Sequence, residues 1–447
     1  MKKYFGKLCV WGVLLFSLSM SLTSCDPYLD DILGEWSRPT PGGGSSSDEP
    51  TPTMKATPLT LEAITAGTIV VNNPKDGMQY SKNGGAKTAI TDNPTEIVVA
   101  AGDKVAFYGN GTSISTYSDG TTSTKIGGDG DGFKCKVYGN IMSLVDETGY
   151  EGATELTGEY AFRDLFKGNT KLTDISDLQL PATTLKHKCY QNLFQGCTSL
   201  TNIPEALLPA PTLATYCYSN MFNGCASLTT VPEKLLPATT LANACYENMF
   251  EGCTSLTNIP EKLLPATTLA QGCYISMFWD CTGLTTLPEK LLPATVMKPN
   301  CYATMFYQCT GLTTVPEKLL PAETLANNCY QNLFQGCTSL TTAPALPATN
   351  LANNCYNMMF YDCASLITTP KLPATTLAQG CYSMMFENCT SLTTAYVKAA
   401  YKNSDDECER MFKGCTAAGT LHTTTANKDD WSLKVPGTWT ADAGWTD

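Results

Sequence analysis

Eighteen of the 21 cysteines recur as nine pairs, and these are the residues whose type and spacing could do chemistry. In eight pairs seven residues separate the two cysteines, whereas six residues separate the last two. Thiols at a fixed spacing can form disulfides, bind zinc or pack as small apolar side chains. The pairs are Cys189/Cys197, Cys217/Cys225, Cys245/Cys253, Cys273/Cys281, Cys301/Cys309, Cys329/Cys337, Cys355/Cys363, Cys381/Cys389 and Cys408/Cys415.

Bridges within each pair are the interpretation that we favour. A degenerate copy at residues 161–172 has Ala161 and Asn169 in place of both cysteines, and bridging along one row of nine equivalents would leave one unmatched. An α-helix across a pair would hold the two Cα atoms about 12 Å apart. A disulfide tolerates a Cα–Cα separation of at most ~7 Å, so a bridge requires the chain to bend back between the two cysteines. The alternative is two rows of reduced, buried cysteines. Zinc fits poorly, because it needs four close ligands and Cys-x-x-Cys knuckles are absent.

Catalytic motifs do not accompany the cysteines. The chain has no Gly-x-Ser-x-Gly, no His-Glu-x-x-His and no glycine-rich phosphate loop, and its two histidines are His187 and His422. Its formal net charge is −12 and becomes −15 without residues 1–24, which carry three lysines and no acidic residue. An acidic protein disfavours nucleic acid and anionic lipid as partners. We therefore predict a protein that is not an enzyme and binds no cofactor, metal or nucleic acid.

The cysteines mark a repeat that runs from about residue 161 to residue 416. The first cysteine of each copy advances by 28 residues up to Cys329, then by 26 twice, and by 27 at Cys408. A constant period of this size is typical of a solenoid, in which each unit buries its apolar face against its neighbours. The shorter copies lose residues from a Pro-containing return, so we expect the rest of each layer to stay in register.

Each copy predicts one short helix and one short strand. Tyr246, Met249 and Phe250 lie at i, i+3 and i+4, so they share one face of a helical turn. Leu256 and Ile259 flank a β-favouring Thr-Asn pair, and a proline then ends the strand. The predicted fold class is an α/β repeat solenoid, preceded by a small all-β, sandwich-like domain.

The motif Phe250-x-x-Cys253-x-x-Leu256-x-x-Ile259 and its equivalents resemble the leucine-rich repeat of the BspA-like type. The pattern departs from that family in Cys245, eight residues before Cys253, where an aliphatic residue is usual. The repeats are also similar to arrays in surface proteins of gut Bacteroidales. The resemblance implies an extracellular, adhesive or ligand-binding role, and it does not name the ligand.

The N-terminus is typical of a lipoprotein signal peptide. Three lysines precede an apolar run that ends at Leu22, and Cys25 follows after Thr and Ser. The run is too short for a stable membrane span. We predict cleavage after residue 24 and lipid on Cys25; an ordinary signal peptide with a coincidental cysteine is the alternative. The acidic residues that follow Cys25 resemble a surface-export signal, so we expect the protein on the outer membrane, lipid-anchored and facing the cell exterior.

The composition changes along the chain predict its domain organisation. The segments are 1–24 (signal peptide), 25–57 (lipidated N-terminus and flexible tether), 58–150 (all-β domain), 151–416 (repeat array with its degenerate first copy at 161–172) and 417–447 (C-terminal cap). Cys135 is expected to be a buried free thiol in the all-β domain. Trp431, Trp439 and Trp445 are expected to cover the apolar edge of the last repeat.

Two stripes of side chains are candidate binding surfaces, because a solenoid repeats each position once per layer. Trp279 and Tyr307 follow the core Phe of their copies and are one period apart, so they should lie in adjacent layers. Such a pair could stack on a sugar or anchor a protein partner; partial burial against the neighbouring layer is the alternative. The candidate residues are Thr257, Asn258, Thr285, Thr286, Thr313 and Thr314 on a hydroxyl-rich strand face, and Trp279, Tyr307 and Tyr361 after the core Phe.

Together these features predict a non-enzymatic cell-surface lipoprotein whose array binds an extracellular protein or host ligand. The alternative is a glycan-binding accessory lipoprotein of a polysaccharide uptake system, in which the all-β domain binds the glycan. The partners would be an extracellular protein or glycan, and the membrane through the lipid anchor.

The Cys25→Ser variant should leave the membrane fraction, because no acyl chain can be attached without the thiol. Two or three acyl chains, at about 0.8 kcal/mol per buried methylene, would anchor the native chain stably. Detergent phase partition and intact mass measure both effects. Ser24→Ala keeps a small residue before the cysteine and should stay membrane-bound. Membrane association that survives Cys25→Ser would contradict the lipid anchor.

Overall fold

The computed structural model describes residues 57–115 and 122–446. The signal peptide, Cys25 and the tether up to residue 56 therefore lie outside the described residues. What is described belongs to one compact unit. Within that part of the chain no helix is long and apolar enough to cross a membrane.

The N-terminal region consists of two antiparallel β-sheets, which confirms its predicted β character. The strands are β1 (Thr60–Ala63), β2 (Gly67–Asn72), β3 (Gln79–Lys82), β4 (Thr88–Ala89), β5 (Thr95–Val99), β6 (Lys104–Tyr108), β7 (Lys125–Asp129) and β8 (Cys135–Asn140). One sheet has the order β8–β1–β6–β3–β4 and the other β5–β2–β7. Leu61 of the first sheet and Ile69 of the second belong to the same hydrophobic core.

The larger sheet continues into the repeat array. The free edge of β8 pairs in parallel with β9 (Leu172–Asp174) and β10 (Leu178–Gln179), which lie in the degenerate first layer. Cys135 at the start of β8 is a buried free thiol, as predicted, and burial raises its pKa to about 12. The predicted boundary at 150/151 thus separates two types of sequence that share one sheet and one core.

The β region also covers the first layer of the array. The N–H groups of Ile114 and Ile126 donate to the carbonyls of Ala161 (3.0 Å) and Leu165 (2.7 Å). The Ser115 hydroxyl donates to the carbonyl between them, that of Arg163, at 2.8 Å. Three carbonyls that point out of the first layer therefore have donors from the β region.

The predicted helix in each layer is wrong. The segment is a series of β-turns in which every fourth residue has a positive φ: 52° at Ala244, 54° at Asn248 and 70° at Gly252. A right-handed helix cannot contain such residues at this spacing, and Asn and Gly are the residue types that tolerate this conformation best. The i, i+3, i+4 spacing of the apolar side chains is compatible with this coil of turns as well as with a helix.

Hydrogen bonds alternate along this turn segment. Every second N–H donates to the carbonyl three residues earlier in its own layer, as Met249 does to Tyr246 at 3.2 Å. The N–H groups between them donate to the next layer, as Phe250 does to Met277 at 2.9 Å and Gly252 does to Trp279 at 2.8 Å. In the turn segments the backbone bonds between layers therefore all run from an N–H group to the layer that follows.

Regular strands form only at the two ends of the array. Most central layers make single cross-layer bonds instead, such as Thr313 N–H to Thr285 O at 3.0 Å. A proline such as Pro316 follows shortly and has no N–H to extend the ladder. The strands at the C-terminal end form a parallel sheet of β11 (Thr368–Leu372), β12 (Thr394–Val397), β13 (Gly419–His422) and β14 (Trp439–Asp442). The predicted strand is thus confirmed for the last layers and absent as a regular element from most of the 28-residue layers that are described.

A continuous stack of phenylalanine rings runs through the core. Ten rings, from Phe166 to Phe412, are separated by 5.4–5.8 Å between neighbouring centroids and are nearly parallel. The spacing is 5.7 Å between Phe306 and Phe334 and 5.6 Å between Phe334 and Phe360, where the period falls from 28 to 26. The prediction that the shorter copies keep their register is confirmed.

The last layer corrects the predicted pairing of Cys408. The N–H of Tyr382 donates to the carbonyl of Glu407, as the N–H of Tyr356 does to that of Cys381. Glu407 therefore occupies the place of the first cysteine, and Cys408 that of the tyrosine. The structural step is 26 residues, so the apparent step of 27 is a displaced cysteine rather than a longer loop.

Glu407 is buried in that layer as an ion pair. Burial raises its pKa, but hydrogen bonds from the Lys402 ammonium and from the Asp405 N–H outweigh this effect and lower it to about 2. The carboxylate is therefore charged in the folded protein at neutral pH.

The disulfides predicted within the pairs are not formed: all nineteen cysteines of the described residues are free and buried. The electrostatic neighbours of Cys217 are Cys189 and Cys245, which are its equivalents in the adjoining layers. The second cysteine of each layer instead donates its S–H to the carbonyl of the Phe in the preceding layer, at 3.1–3.3 Å. The two turns between paired cysteines carry them into separate rows, so the arrangement is the reduced alternative.

Two of the three predicted tryptophans cover the last ring of the stack. Trp431 lies in the short helix α1 (Lys428–Ser432), and its ring centroid is 6.1 Å from that of Phe412. The ring centroid of Trp439 is 5.5 Å from that of Phe412. Trp445 instead lies beside the ammonium groups of Lys371 and Lys398, at 5.8 and 5.7 Å from its ring centre. The side-chain core is therefore closed at this end by two tryptophans.

The chain that begins at residue 26 should gain nineteen alkyl groups when it is denatured without reductant, because every described cysteine is free. The native protein should resist the same reagent at pH 8, since burial raises the pKa of thiols such as Cys245 and Cys253 to about 12. Intact mass spectrometry counts the groups. If the mass gain appeared only after reduction, the cysteines would be bridged, as the sequence analysis predicted.

Phe278→Ala should lower the free energy of unfolding by about 3–5 kcal/mol, because it empties a fully buried site in the ring stack. The centroid of the lost ring is 5.6 Å from that of Phe250 and 5.8 Å from that of Phe306. Denaturant unfolding followed by tyrosine and tryptophan signals measures the change. The exposed Thr286→Ala variant serves as control and should change it by less than about 0.5 kcal/mol. Equal effects of the two substitutions would show that the stack does not carry the stability.

Candidate binding surfaces of the array

The residue that follows each Phe of the stack from Phe194 to Phe386 lies on the outside of the turn segment, and we call this row the outer stripe. Its carbonyl accepts the N–H of the preceding layer, as that of Trp279 does from Gly252, so the backbone fixes the side chain at the surface. The members are half-buried, except the last, which is buried. They are Gln195, Asn223, Glu251, Trp279, Tyr307, Gln335, Tyr361 and Glu387.

Trp279 and Tyr307 are in contact in the structure, which confirms their predicted position in adjacent layers. Their ring centroids are 4.7 Å apart, and the ring planes are inclined by 57°. Both side chains are half-buried, so each keeps a surface that faces solvent. The inclined rings form a notch rather than a flat platform.

The notch has polar neighbours on both sides. Glu251 precedes it on the outer stripe; burial, and then the charge of Asp280, raise the pKa of its carboxyl. The Asn223 amide donates to that carboxyl at 2.9 Å. Gln335 follows on the other side and separates the notch from Tyr361, so the third aromatic candidate is not part of the pair.

Tyr361 and Glu387 are held by their own neighbours. The Asn388 amide donates to the Tyr361 hydroxyl at 3.4 Å. Glu387 is buried and forms a close ion pair with Arg410. The adjoining aromatic pair of the outer stripe is therefore Trp279 and Tyr307, and Tyr361 is a separate, half-buried ring.

The hydroxyl-rich face is exposed as predicted, but part of its hydrogen-bonding capacity is used internally. The Thr313 hydroxyl donates to the Thr285 carbonyl at 3.2 Å, and the Thr341 hydroxyl donates to the Thr313 carbonyl at 3.0 Å. These bonds hold the extended segments of adjoining layers together. The candidate residues Thr257, Asn258, Thr285, Thr286, Thr313 and Thr314 are all exposed.

Both histidines have structural neighbours. His187 lies between the rings of Tyr160 and Tyr216, with 5.5 and 5.9 Å between the ring centroids. His422 Nδ1 lies 2.7 Å from the Asp442 carboxylate. In the described residues no three or more His, Cys, Asp or Glu side chains are grouped so that they could hold a metal ion.

One surface was not recognised from the sequence. A cleft of about 330 Å³ lies at the C-terminal end of the array, between the last turn segment and the segment around Trp431. Met411, Phe412 and Trp431 line it, together with Arg410, Lys413 and Lys434. The sequence carries no local signal for it, because acidic residues such as Glu407 and Asp429 are interspersed with these cations along the chain.

The comparisons with known proteins agree with the repeat geometry. No curated protein matches the chain. A family model described as a BspA type leucine-rich repeat region, with six copies, matches residues 159–287 and 301–425. Repeats of this type suggest proteins of interaction and adhesion. Because the matched residues make up more than half of the sequence, the chain belongs to the BspA-type leucine-rich repeat family.

Proposed function

We propose that this protein is a non-enzymatic, lipid-anchored protein of the outer membrane whose array binds an extracellular protein through the outer stripe. The observation that carries the proposal is the contact between Trp279 and Tyr307 at 4.7 Å. Six of the eight stripe positions are polar, charged or bonded to a neighbour, and these two supply adjoining aromatic surface. Tryptophan and tyrosine are enriched among the residues that dominate protein–protein binding energy.

The shape of the notch favours a protein over a glycan as the ligand. A sugar chain that stacks on two rings needs ring faces that lie close to one plane. The planes of Trp279 and Tyr307 are inclined by 57°, so only one ring at a time can present its face to a flat ligand. A protruding side chain of a protein partner can contact both rings at once.

The amino-acid sequence supports the location. The lysines, the apolar run and Cys25 have the pattern of a lipoprotein signal, and a segment rich in Pro, Gly and Ser follows, as a tether would. A lipid at Cys25 would hold the array outside the cell, where an extracellular partner is accessible.

Trp279→Ala combined with Tyr307→Ala should weaken binding to immobilised extracellular-matrix glycoproteins by roughly 30-fold, the effect of about 2 kcal/mol at a central anchor. Surface plasmon resonance with the chain that begins at residue 26 measures the affinity. Enzymatic removal of the glycans should leave binding intact. Loss of binding after deglycosylation would support the glycan-binding alternative instead.

Gln195→Ala combined with Asn223→Ala is the matched control, because it truncates the same stripe position in two non-aromatic layers. This variant should bind within about twofold of the native chain. Near-ultraviolet circular dichroism and thermal unfolding establish that both variants are folded. Native-like binding by the folded Trp279/Tyr307 variant would exclude the outer stripe as the binding site.

A further inference from the structure

The backbone bonds between the turn segments of adjoining layers all point the same way, whereas bonds of the extended segments, such as Thr313 N–H to Thr285 O, point the opposite way. In the turn segments the alternate N–H groups point toward the C-terminal end and the carbonyls that accept them point toward the N-terminal end. The turn segment of the first layer therefore exposes acceptors and the turn segment of the last layer exposes donors. The β region supplies donors to three acceptors of the first layer, through Ile114, Ser115 and Ile126.

In the last layer the N–H of Cys408 donates to the Lys402 carbonyl at 3.0 Å, but the three donors that follow it in the row have no such complement. The N–H groups of Met384, Phe386 and Asn388 donate to the last layer at 2.7, 2.9 and 2.8 Å. Their equivalents one layer on are the N–H groups of Arg410, Phe412 and Gly414. Within residues 57–115 and 122–446 these three N–H groups find no acceptor. Trp431 and Trp439 cover the side chain of Phe412 but contribute no carbonyl to this row.

The three residues that carry these donors line the cleft of about 330 Å³ at the end of the array. Its wall is apolar at Met411, Phe412, Trp431 and Val435. The N–H row therefore lies beside a space that can accept an apolar side chain.

The cleft is also basic, in a chain whose net charge is −12. Arg410, Lys413 and Lys434 line it, and no Asp or Glu among the described residues does. The buried Glu387 lies behind them, forms a close ion pair with Arg410 and lies 3.9 Å from Lys413, so it offsets one of the three charges. The ammonium of Lys434 lies 5.2 Å from the centre of the Tyr401 ring.

We propose that this end of the array binds an acidic peptide segment of a partner protein, laid along the last layer as a further layer would be. Alternate backbone carbonyls of the peptide accept from the N–H groups of Arg410, Phe412 and Gly414, in the manner of strand addition to a sheet edge. A peptide carboxylate pairs with Lys413 or Lys434, and an apolar side chain enters the cleft.

A second copy of this chain does not fit the same surface. Two C-terminal ends that meet would oppose donors to donors. The N-terminal end, which has acceptors, is covered by the β region. The inference goes beyond the proposed function, because it uses the backbone at the end of the array and not the rings of the outer stripe.

The test starts from short random peptides displayed on phage and selected on the chain that begins at residue 26. We expect the enriched peptides to combine a carboxylate with an apolar residue. A fluorescein-labelled copy of the most enriched peptide should bind in an anisotropy assay and should slow amide hydrogen exchange in residues 408–415. Exchange in residues 384–388, whose N–H groups are already bonded, should not change.

Lys413→Glu combined with Lys434→Glu should weaken this peptide at least about tenfold, because two favourable charges become repulsive. Lys290→Glu combined with Lys318→Glu makes the same charge change at exposed positions of the return loops and should bind within about twofold. The Trp279/Tyr307 double variant should bind like the native chain.

Four results would each overturn the inference. The first is enrichment of peptides that lack carboxylates, and the second is equal affinity of the peptide for the Lys413/Lys434 variant and for the native chain. The third is unchanged amide exchange in residues 408–415 when the peptide is added. The fourth is loss of binding in the Trp279/Tyr307 variant alone. The last result would place the peptide on the outer stripe and leave the proposed function standing. Acetate that slows exchange in residues 408–415 as fully as the peptide would indicate an anion site only, which also contradicts a peptide site.

Discussion

Half of the backbone N–H groups in each turn segment find their acceptors in the next layer, and the rest of the structure depends on this constraint. An α-helix satisfies its own donors, whereas here the N–H of Phe250 needs the carbonyl of Met277. A single layer would leave these donors unpaired, so the layers are stable only as a stack. Because these bonds of the turn segments all run toward the following layer, the turn segments at the two ends require opposite complements. The β region supplies donors to one end, and the tryptophans at the other end cover side chains alone.

The same constraint explains why cysteine occupies the second row. The carbonyl of each core Phe accepts the N–H three residues later and also the S–H of a cysteine in the following layer, as that of Phe222 does from Cys253 at 3.3 Å. An apolar residue of similar size would fill the space but would leave the second acceptor site unused. The degenerate first layer supports this reading. Asn169 stands in the cysteine position there, and its amide donates to the carbonyl of Ile126, which takes the place of the Phe, at 3.4 Å.

The period, the core positions and the two tryptophans of the cap were predictable, because they depend on residue type and spacing alone. The helix was not distinguishable from a coil of turns by its apolar residues; the informative signal was Asn or Gly at every fourth position, as at Asn248 and Gly252. Fixed cysteine spacing fits two buried rows as well as bridges, and only the three-dimensional stack separates them. The displacement of the last first-row cysteine to Cys408 shows in the sequence only as a step of 27 residues and a spacing of six, which a longer loop would also explain. The cleft at the end requires knowing which way the cross-layer bonds point.

Both surfaces proposed for binding lie at positions where the repetition fails. The core rings, the cysteines and the residues with positive φ are all fixed by their neighbours, so any change there affects stability first. The outer stripe is different, because it holds Glu251 in one layer and Trp279 in the next while the backbone remains the same. These side chains can therefore be substituted without disturbing the backbone of the layer. The end of the array has the opposite character, since its donors belong to the backbone of Arg410, Phe412 and Gly414 and persist whatever side chains those positions carry. The stripe is suited to choosing a partner, whereas the end is suited to holding any segment that brings acceptors and the complementary charge.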